Sequence, residues 1–424
     1  MATVAIPSAT EQIRYTDLYA RWEAGNWSAT TIDFTQDRID WHERLTEEQR
    51  RGMLWFFTLF FHGEDAVADN LSPYVDAAPR EEQTYFLTTQ QVDEARHSVF
   101  FHRFMHEVVG VGDGTPGGGL AATEAQLTWG HRNLFAHLDK TAAELRRDQS
   151  KTMLARAVTL YHILVEASLA QPGQHIIEDA LERLDILPGF REGMRHVAMD
   201  EQRHIAFGVR LLADLHAEDP EPIRDAILGM VMECAAWGIG VAMPPGLDPS
   251  YTESWGFSIE DLIAEAARSN EAKLRAIGLP IDEMGDLVPW DPETSPEERA
   301  ARAVAMYRAG YIGPKEGKAA RDEHSMSLLF EEVARSANKD VLPAGSTIQW
   351  SFADATPWYV ELNNGSTAAR QGRAPSPTLT LELRFDDWVD LIAGRADPRM
   401  LLLRRKLRPS GDLRTLVKLP KLFG

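Results

Sequence analysis

The stretch "YFLTTQQVDEARHSVFFHRF", Tyr85 to Phe104, decides how this chain is read. Leu87, Gln90, Glu94, His97, Phe101, Phe104 and, just beyond, Val108 recur at steps of three and four, the spacing of one face of a helix. Such a face packs into a core, yet a carboxylate and an imidazole take two of its positions. The same intrusion occurs twice more. Upstream, Met53, Phe57, Phe60, Glu64, Val67 and Leu71 form a helical stripe, opened by the capping box "TEEQ" at Thr46. Downstream, Phe190, Met194, Val197, Glu201, His204, Gly208 and Leu211 form another.

An unpaired buried carboxylate is costly, or it takes up a proton. Several together stay ionised only beside a cation. Glu and His at i and i+3 lie on one helix face, so "EARH" and "DEQRH" each offer one oxygen and one nitrogen to a metal. The helix before "DEQRH" carries "YHILVEASLAQPG", where Glu166 sits on an otherwise apolar face. Glu64, Glu94, His97, Glu166, Glu201 and His204 thus make a six-ligand set for two metals, the pattern of dimetal carboxylate proteins with a ferritin-like four-helix bundle. A buried Glu–Arg network through Arg96 and Arg203 is the competing explanation. Those arginines point off the stripes, and a charge network rarely repeats with one spacing.

Composition sets the wider limits. The chain has 424 residues and a formal net charge of −20, which repels nucleic acid and anionic membranes. One cysteine, Cys234, excludes an internal disulfide and suits a reducing cytoplasm. The first residues, "MATVAIPSATEQ", lack the pattern of a signal peptide, and the apolar run "LWFFTLFF" is too short to span a bilayer. A cytoplasmic protein is expected.

Residues 46–270 read as almost wholly helical, with the glycine-rich stretch 110–120 as a flexible connection between helices. After Pro289 a Pro-rich stretch, a short helix and a linker follow, and then the period changes from 3.6 to 2. Ile348, Trp350 and Phe352 alternate with polar residues, as do Trp358, Val360 and Leu362, and Leu379, Leu381, Leu383 and Phe385. Asp386 is expected to cap a short helix. The chain therefore reads as an all-α ferritin-like bundle over residues 1–315, followed by a small α+β domain over residues 322–424. From Arg399 onward there are eight Lys or Arg and one acid, Asp412, which suits contact with lipid head groups or, equally, a solvated face docking on the acidic bundle.

With "NWSATTIDFTQDRIDW" (Asn26 to Trp41) and the order of the six ligands, the chain resembles the ribonucleotide reductase small-subunit family over residues 26–270. The resemblance implies one metal on Glu64, Glu94 and His97 and a second on Glu166, Glu201 and His204. It makes Glu94 and Glu201 candidates to bridge, and Trp27, Asp200 and His97 an electron relay. A homodimer is that family's habit. Four residues after the first motif's histidine, where its radical-bearing tyrosine stands, this chain has Phe101. Val67 and Tyr161 instead match the related ligand-binding oxidases. That branch implies a Mn/Fe centre, or two Fe, activating O2, a Val67–Tyr161 ether formed with Tyr161 as the reacting phenol, and a long-chain fatty acid at the metals. On an ideal helix Tyr161 stands about 140° from Glu166, with His162 better aimed, unless a π-bulge turns it. The C-terminal segment from residue 324 resembles the sterol carrier protein type-2 fold. A radical-generating reductase subunit and a non-catalytic lipid carrier with a metal centre are the alternatives.

Overall fold

The helix that carries Glu94 runs Glu81–Phe104 and relaxes into a π turn, Met105–Val109, before Gly110 ends it at φ 79°. Three more helical runs surround the same interior. Glu47–Asn70 carries Glu64 and starts with the expected capping box, in which Thr46 and Gln49 bond each other's backbone amides. Pro188–Glu218 carries Glu201. The third run carries Glu166 and is continuous from Lys151–Val158 through Thr159–Ala170 to Gln171–Leu184. The computed structural model describes residues 13–279, 294–315, 317–363 and 365–422. The start of the chain and residues 289–293 of the Pro-rich stretch lie outside them.

The Glu166 run continues past the "QPG" at Gln171 to Leu184. Pro172 does not stop it, because the preceding Thr159–Ala170 is π-helical and the proline falls at the second residue of the next α-helical turn. At 34 residues this is, among the described residues, the one helix long and apolar enough to cross a membrane, but 83% of its most apolar window is buried inside the protein. It is a core helix. The glycine-rich connection also holds more structure than expected. Thr115 caps a short helix, Pro116–Thr123, with proline at its first position, where a missing N–H costs nothing.

The Glu201 helix is started from outside itself. Asp37, buried in the "DFTQDRIDW" segment, accepts the amides of Gly189 (2.9 Å) and Phe190 (2.7 Å), and buried Asp40 accepts that of Leu187 (2.8 Å). Two carboxylates so placed satisfy orphan donors and the positive end of the helix dipole. The helix also approaches its neighbours closely. A Cβ at Gly208 would come within 2.3 Å of the His162 side chain, and one at Gly193 within 2.1 Å of Phe100. Glycine is required there by contact.

The described chain divides into two compact units, Met1–Met284 and Gly285–Gly424. In the second, a five-stranded sheet has the order β3-β2-β1-β4-β5, with β1 Ser346–Phe352, β2 Trp358–Asn363, β3 Ser366–Gln371, β4 Leu379–Leu383 and β5 Arg408–Gly411. Only the β1–β4 pair is parallel. Alternation marked β1, β2 and β4. The edge strands β3 ("STAARQ") and β5 ("RPSG") bury too little to show it. Phe385 leaves the strand pattern and opens the helix Phe385–Ile392, its amide taken by Asp354 at 2.8 Å. Asp386 therefore does not cap that helix; its carboxylate receives the Ala319 amide and Arg321. Phe330 stacks on Trp358 (4.9 Å) and Trp388 (4.6 Å) at the centre of the core. Met306 and Tyr311 join the same cluster, so the helix Pro296–Arg308 packs in this unit. At the far end Leu403 and Val417 are 76% and 80% exposed, close in sequence to Arg404, Arg405 and Lys418.

Candidate metal centre

All six expected ligands are buried and converge on one place. They form two overlapping quartets, Glu64, Glu94, His97 and Glu201, and Glu94, Glu166, Glu201 and His204, with donor atoms in each within 4.8 Å of one another. Glu94 and Glu201 belong to both. His97 Nδ1 lies 3.2 Å from Glu64 Oε2 and 3.5 Å from both Glu94 Oε2 and Glu201 Oε1. His204 Nδ1 lies 3.1 Å from Glu94 Oε1, 3.4 Å from Glu166 Oε1 and 3.8 Å from Glu201 Oε2. Each imidazole turns its Nε2 outward to an aspartate, His97 to Asp200 and His204 to Asp93, both at 3.1 Å. That bond fixes the tautomer and leaves the Nδ1 lone pair facing inward, as a metal-binding histidine requires.

Glu166 Oε2, Glu201 Oε2 and His204 Nδ1 are buried with no hydrogen-bond partner among the described residues. Acceptors facing one another without a donor call for a cation. Carboxylate and imidazole bonds to a transition metal run about 2.0–2.2 Å, so donors sharing one ion stand roughly 4 Å or less apart. Two quartets of this span fit two ions, with the shared carboxylates between them.

The family model described as ribonucleotide reductase, small chain, matches residues 9–237, over half of the sequence. The chain belongs to the ribonucleotide reductase small-chain family. Residues 329–424 match the SCP-2 sterol transfer family, which accounts for the second unit. Among solved structures it is similar to an R2-like ligand-binding oxidase from Sulfolobus acidocaldarius, at 26% identity and a TM-score of 0.54, over 67% of this chain and 93% of that one. An R2-like ligand-binding oxidase mutant with an anaerobically reconstituted Mn/Fe cofactor is 25% identical, with a TM-score of 0.54, over 65% of this chain and 96% of that one.

Within this small-chain fold, the residues that separate its branches stand as follows. Phe101 is fully buried and stacks on Phe60 at 5.8 Å. Tyr161 faces the cluster, because the π-helix widens each turn by a residue and brings i and i+5 to one side. Its hydroxyl donates to Glu94 Oε1 at 2.6 Å. The widened turn is held from outside, where Ser168 Oγ donates to the Ile163 carbonyl at 2.6 Å and accepts from Asn270 at 2.9 Å. His162, which an ideal helix would aim at the metals, is turned aside and touches Gln90 instead, 3.2 Å from its Oε1. Val67 is buried one turn beyond Glu64. Trp27 Nε1 donates to Asp200 Oδ2 at 2.8 Å, so Trp27, Asp200 and His97 are joined in series.

Three participants escaped the sequence reading. Gln90 appeared there only as part of a helical stripe, yet its amide donates to Glu166 (2.9 Å) and to the Tyr161 hydroxyl (3.1 Å). Asp93 precedes Glu94 as Asp200 precedes Glu201, and that repeated "DE" was the available signal. Trp22 donates to Asp93 at 2.9 Å. The arginines do form a buried network, but with these aspartates. Arg203 reaches Asp93 at 3.0 Å and Asp200 at 2.5 Å, and Arg96 reaches Asp93 at 2.9 Å. The glutamates remain free for cations.

Burial pushes Glu64 up to about 8 from an ordinary 4.5, although His97 pulls the other way. Burial, with neighbouring carboxylates, also raises Glu166 and Glu201. Burial opposes charge on His97 and His204, but the glutamates around them outweigh it and hold both above the usual histidine range. Without metal the cluster keeps protons where cations would sit. A carboxyl protonated in the fold and ionised when unfolded stabilises the fold less as pH rises between the two pKa values. Metal-free protein should therefore lose melting temperature from about pH 4.5 to about pH 8, the window of Glu64. Metal-loaded protein should not, since ligands must shed protons to bind. Calorimetry of both forms checks this; a flat metal-free profile would mean that no protonated acid is buried there.

Proposed function

We propose that this chain is a dimetal oxidase that uses O2 and shelters a long-chain fatty acid or similar lipid. Glu64, Glu94 and His97 would hold one ion and Glu166, Glu201 and His204 the other, with Glu94 and Glu201 within reach of both. The bond from Tyr161 to Glu94, with Phe101 where a radical tyrosine would stand, carries the reading. When bound, a Mn/Fe or di-iron pair supplies O2 activation and the oxidising power to remove hydrogen from C–H and O–H bonds. Gln90 orients the Tyr161 hydroxyl and Glu166 together. Phe57, Phe101 and Phe190 keep water from the interior. Asp93 and Asp200 hold the two imidazoles. The SCP-2 match supports a lipid as the ligand, with the second unit as its carrier.

A radical-generating reductase subunit needs a redox-active side chain near the cluster in the role that Phe101 cannot fill. To test the oxidase reading, protein loaded anaerobically with Fe(II), or with Mn(II) and Fe(II), is exposed to O2 in an oxygen electrode and extracted for lipid mass spectrometry. Prompt O2 uptake and a co-purifying long-chain carboxylic acid are expected. Metal-loaded protein that never consumes O2 would leave only a lipid carrier.

A further inference from the structure

Trp27–Asp200–His97 has a counterpart. Trp22 Nε1 donates to Asp93 Oδ1 at 2.9 Å, and Asp93 Oδ2 lies 3.1 Å from His204 Nε2. The two series match residue for residue, at 2.9 and 3.1 Å through the two oxygens of Asp93 against 2.8 and 3.1 Å through Oδ2 of Asp200. They are crossed between the two long helices. The aspartate before Glu94 serves the histidine of the Glu201 helix, and the aspartate before Glu201 serves the histidine of the Glu94 helix. Arg203 ties the aspartates together. Both indoles are half-buried, with the aspartates and histidines behind them buried. Trp22 lies in the last turn of the helix Tyr15–Ala24 and Trp27 follows five residues on, so both lie within one short segment of chain. Tyr19 lies 5.9 Å from Trp22, and His196 stacks on Trp27 at 5.0 Å.

A tryptophan held only for packing does not need its N–H aimed at a buried carboxylate already bonded by two arginines. Nor does packing require the carboxylate to continue to a histidine of the second quartet. We propose that Trp22, Asp93 and His204 form a second electron path, so that each half of the dimetal centre has its own entry from one face. This rests on the dimetal reading above. In the step, one electron leaves a one-electron donor of the reduced flavin or iron–sulfur class, passes through the indole, and reduces one ferric ion to ferrous. The indole proton stays shared with Asp93, and no bond in the chain is made or broken. Trp22 and Asp93 act through His204 as positioning and conducting residues.

The test uses the full chain loaded with iron and oxidised, with photoreduced flavin as donor. Loss of the ferric absorption is followed in wild type, Trp22→Phe, Trp27→Phe and the double variant, with iron per chain and melting temperature measured for each. Parallel paths predict strong non-additivity, with each single variant slowed by about twofold or less and the double variant by tenfold or more. Freeze-quenched EPR after O2 addition should detect an indole radical in each single variant and in wild type, and none in the double. If Trp27→Phe alone gives the full loss and Trp22→Phe matches wild type with iron still bound, the second path is wrong and the dimetal reading stands. A chain that binds no iron would overturn both.

Discussion

Glu201→Gln should abolish dimetal binding while leaving the metal-free fold nearly as stable as wild type. Glu201 belongs to both quartets, and an amide cannot bridge two cations. Burial and the neighbouring Glu94 raise the Glu201 carboxyl, which shifts the metal-free protein toward its neutral form. Glutamine has the shape and neutrality of that protonated acid. Its effect on the metal-free chain is therefore small, while its effect on the loaded chain is large. At free metal about a thousandfold above Kd, binding one ion stabilises a fold by about 4 kcal/mol. For a helical unit of this size that corresponds to a rise of roughly 10 °C in Tm, which the variant should lose. Elemental analysis should fall from two ions per chain to less than one. Asp93→Asn, which leaves the quartets intact but loosens the hold on His204 together with the ion pairs to Arg96 and Arg203, should cost about 10–100-fold in metal affinity. If Glu201→Gln kept two tightly bound ions and the full metal-dependent rise in Tm, the shared carboxylate would not be the bridge.

The contrast between those two variants follows what could and could not be read from sequence. Glu64, Glu94, His97, Glu166, Glu201 and His204 were legible because each breaks an apolar stripe, and a stripe is a statement about burial. Asp93 and Trp22 interrupt nothing. Asp93 sits one residue off the stripe, and the half-buried Trp22 lies on a helix more than seventy residues away. Their pairing appears only when the helices are packed. Tyr161 was the intermediate case. Ideal α-helical geometry points it away from Glu166, and nothing in "YHILVEASLA" announces a π-helix. The turn is widened through Asn270 and Ser168, a contact 102 residues apart in sequence. In the second unit the alternation of Ile348, Trp350 and Phe352 was plain, because one face of β1 is buried. β3 and β5 lie at the sheet edges with little apolar content, so their strand state comes from neighbours that need hydrogen-bond partners.

Aerobic loading of the wild-type chain should join the peptides carrying Val67 and Tyr161, at a mass two hydrogens below their sum. Tyr161→Phe should never show that product, although it still binds two ions. The phenol lies beside the metal-binding carboxylates, donating at 2.6 Å to one that belongs to both quartets, with Gln90 bonded to its oxygen. Burial, then Glu166 and Glu94, push its pKa well above the ordinary value, so the group keeps its hydrogen until that atom is taken. Val67 is buried three residues after Glu64, a spacing that puts both on one helix face. In the proposed step Val67 would give up one C–H hydrogen and Tyr161 its O–H hydrogen, a C–O bond would form, and two electrons and two protons would pass to the oxidant derived from O2. Anaerobic loading withholds that oxidant and should leave the peptides separate. The expected yield is close to complete after air, against none in the variant or without O2, because both side chains are buried and a pair held in reach loses little entropy on reacting. Peptides recovered apart and unmodified from aerobically loaded, metal-replete protein would show that Tyr161 is held at Glu94 for some other purpose. The neutral alternative is then structural: the hydroxyl would be one more donor satisfying a buried carboxylate, and Tyr161→Phe would weaken metal binding without changing what the centre does to its neighbours.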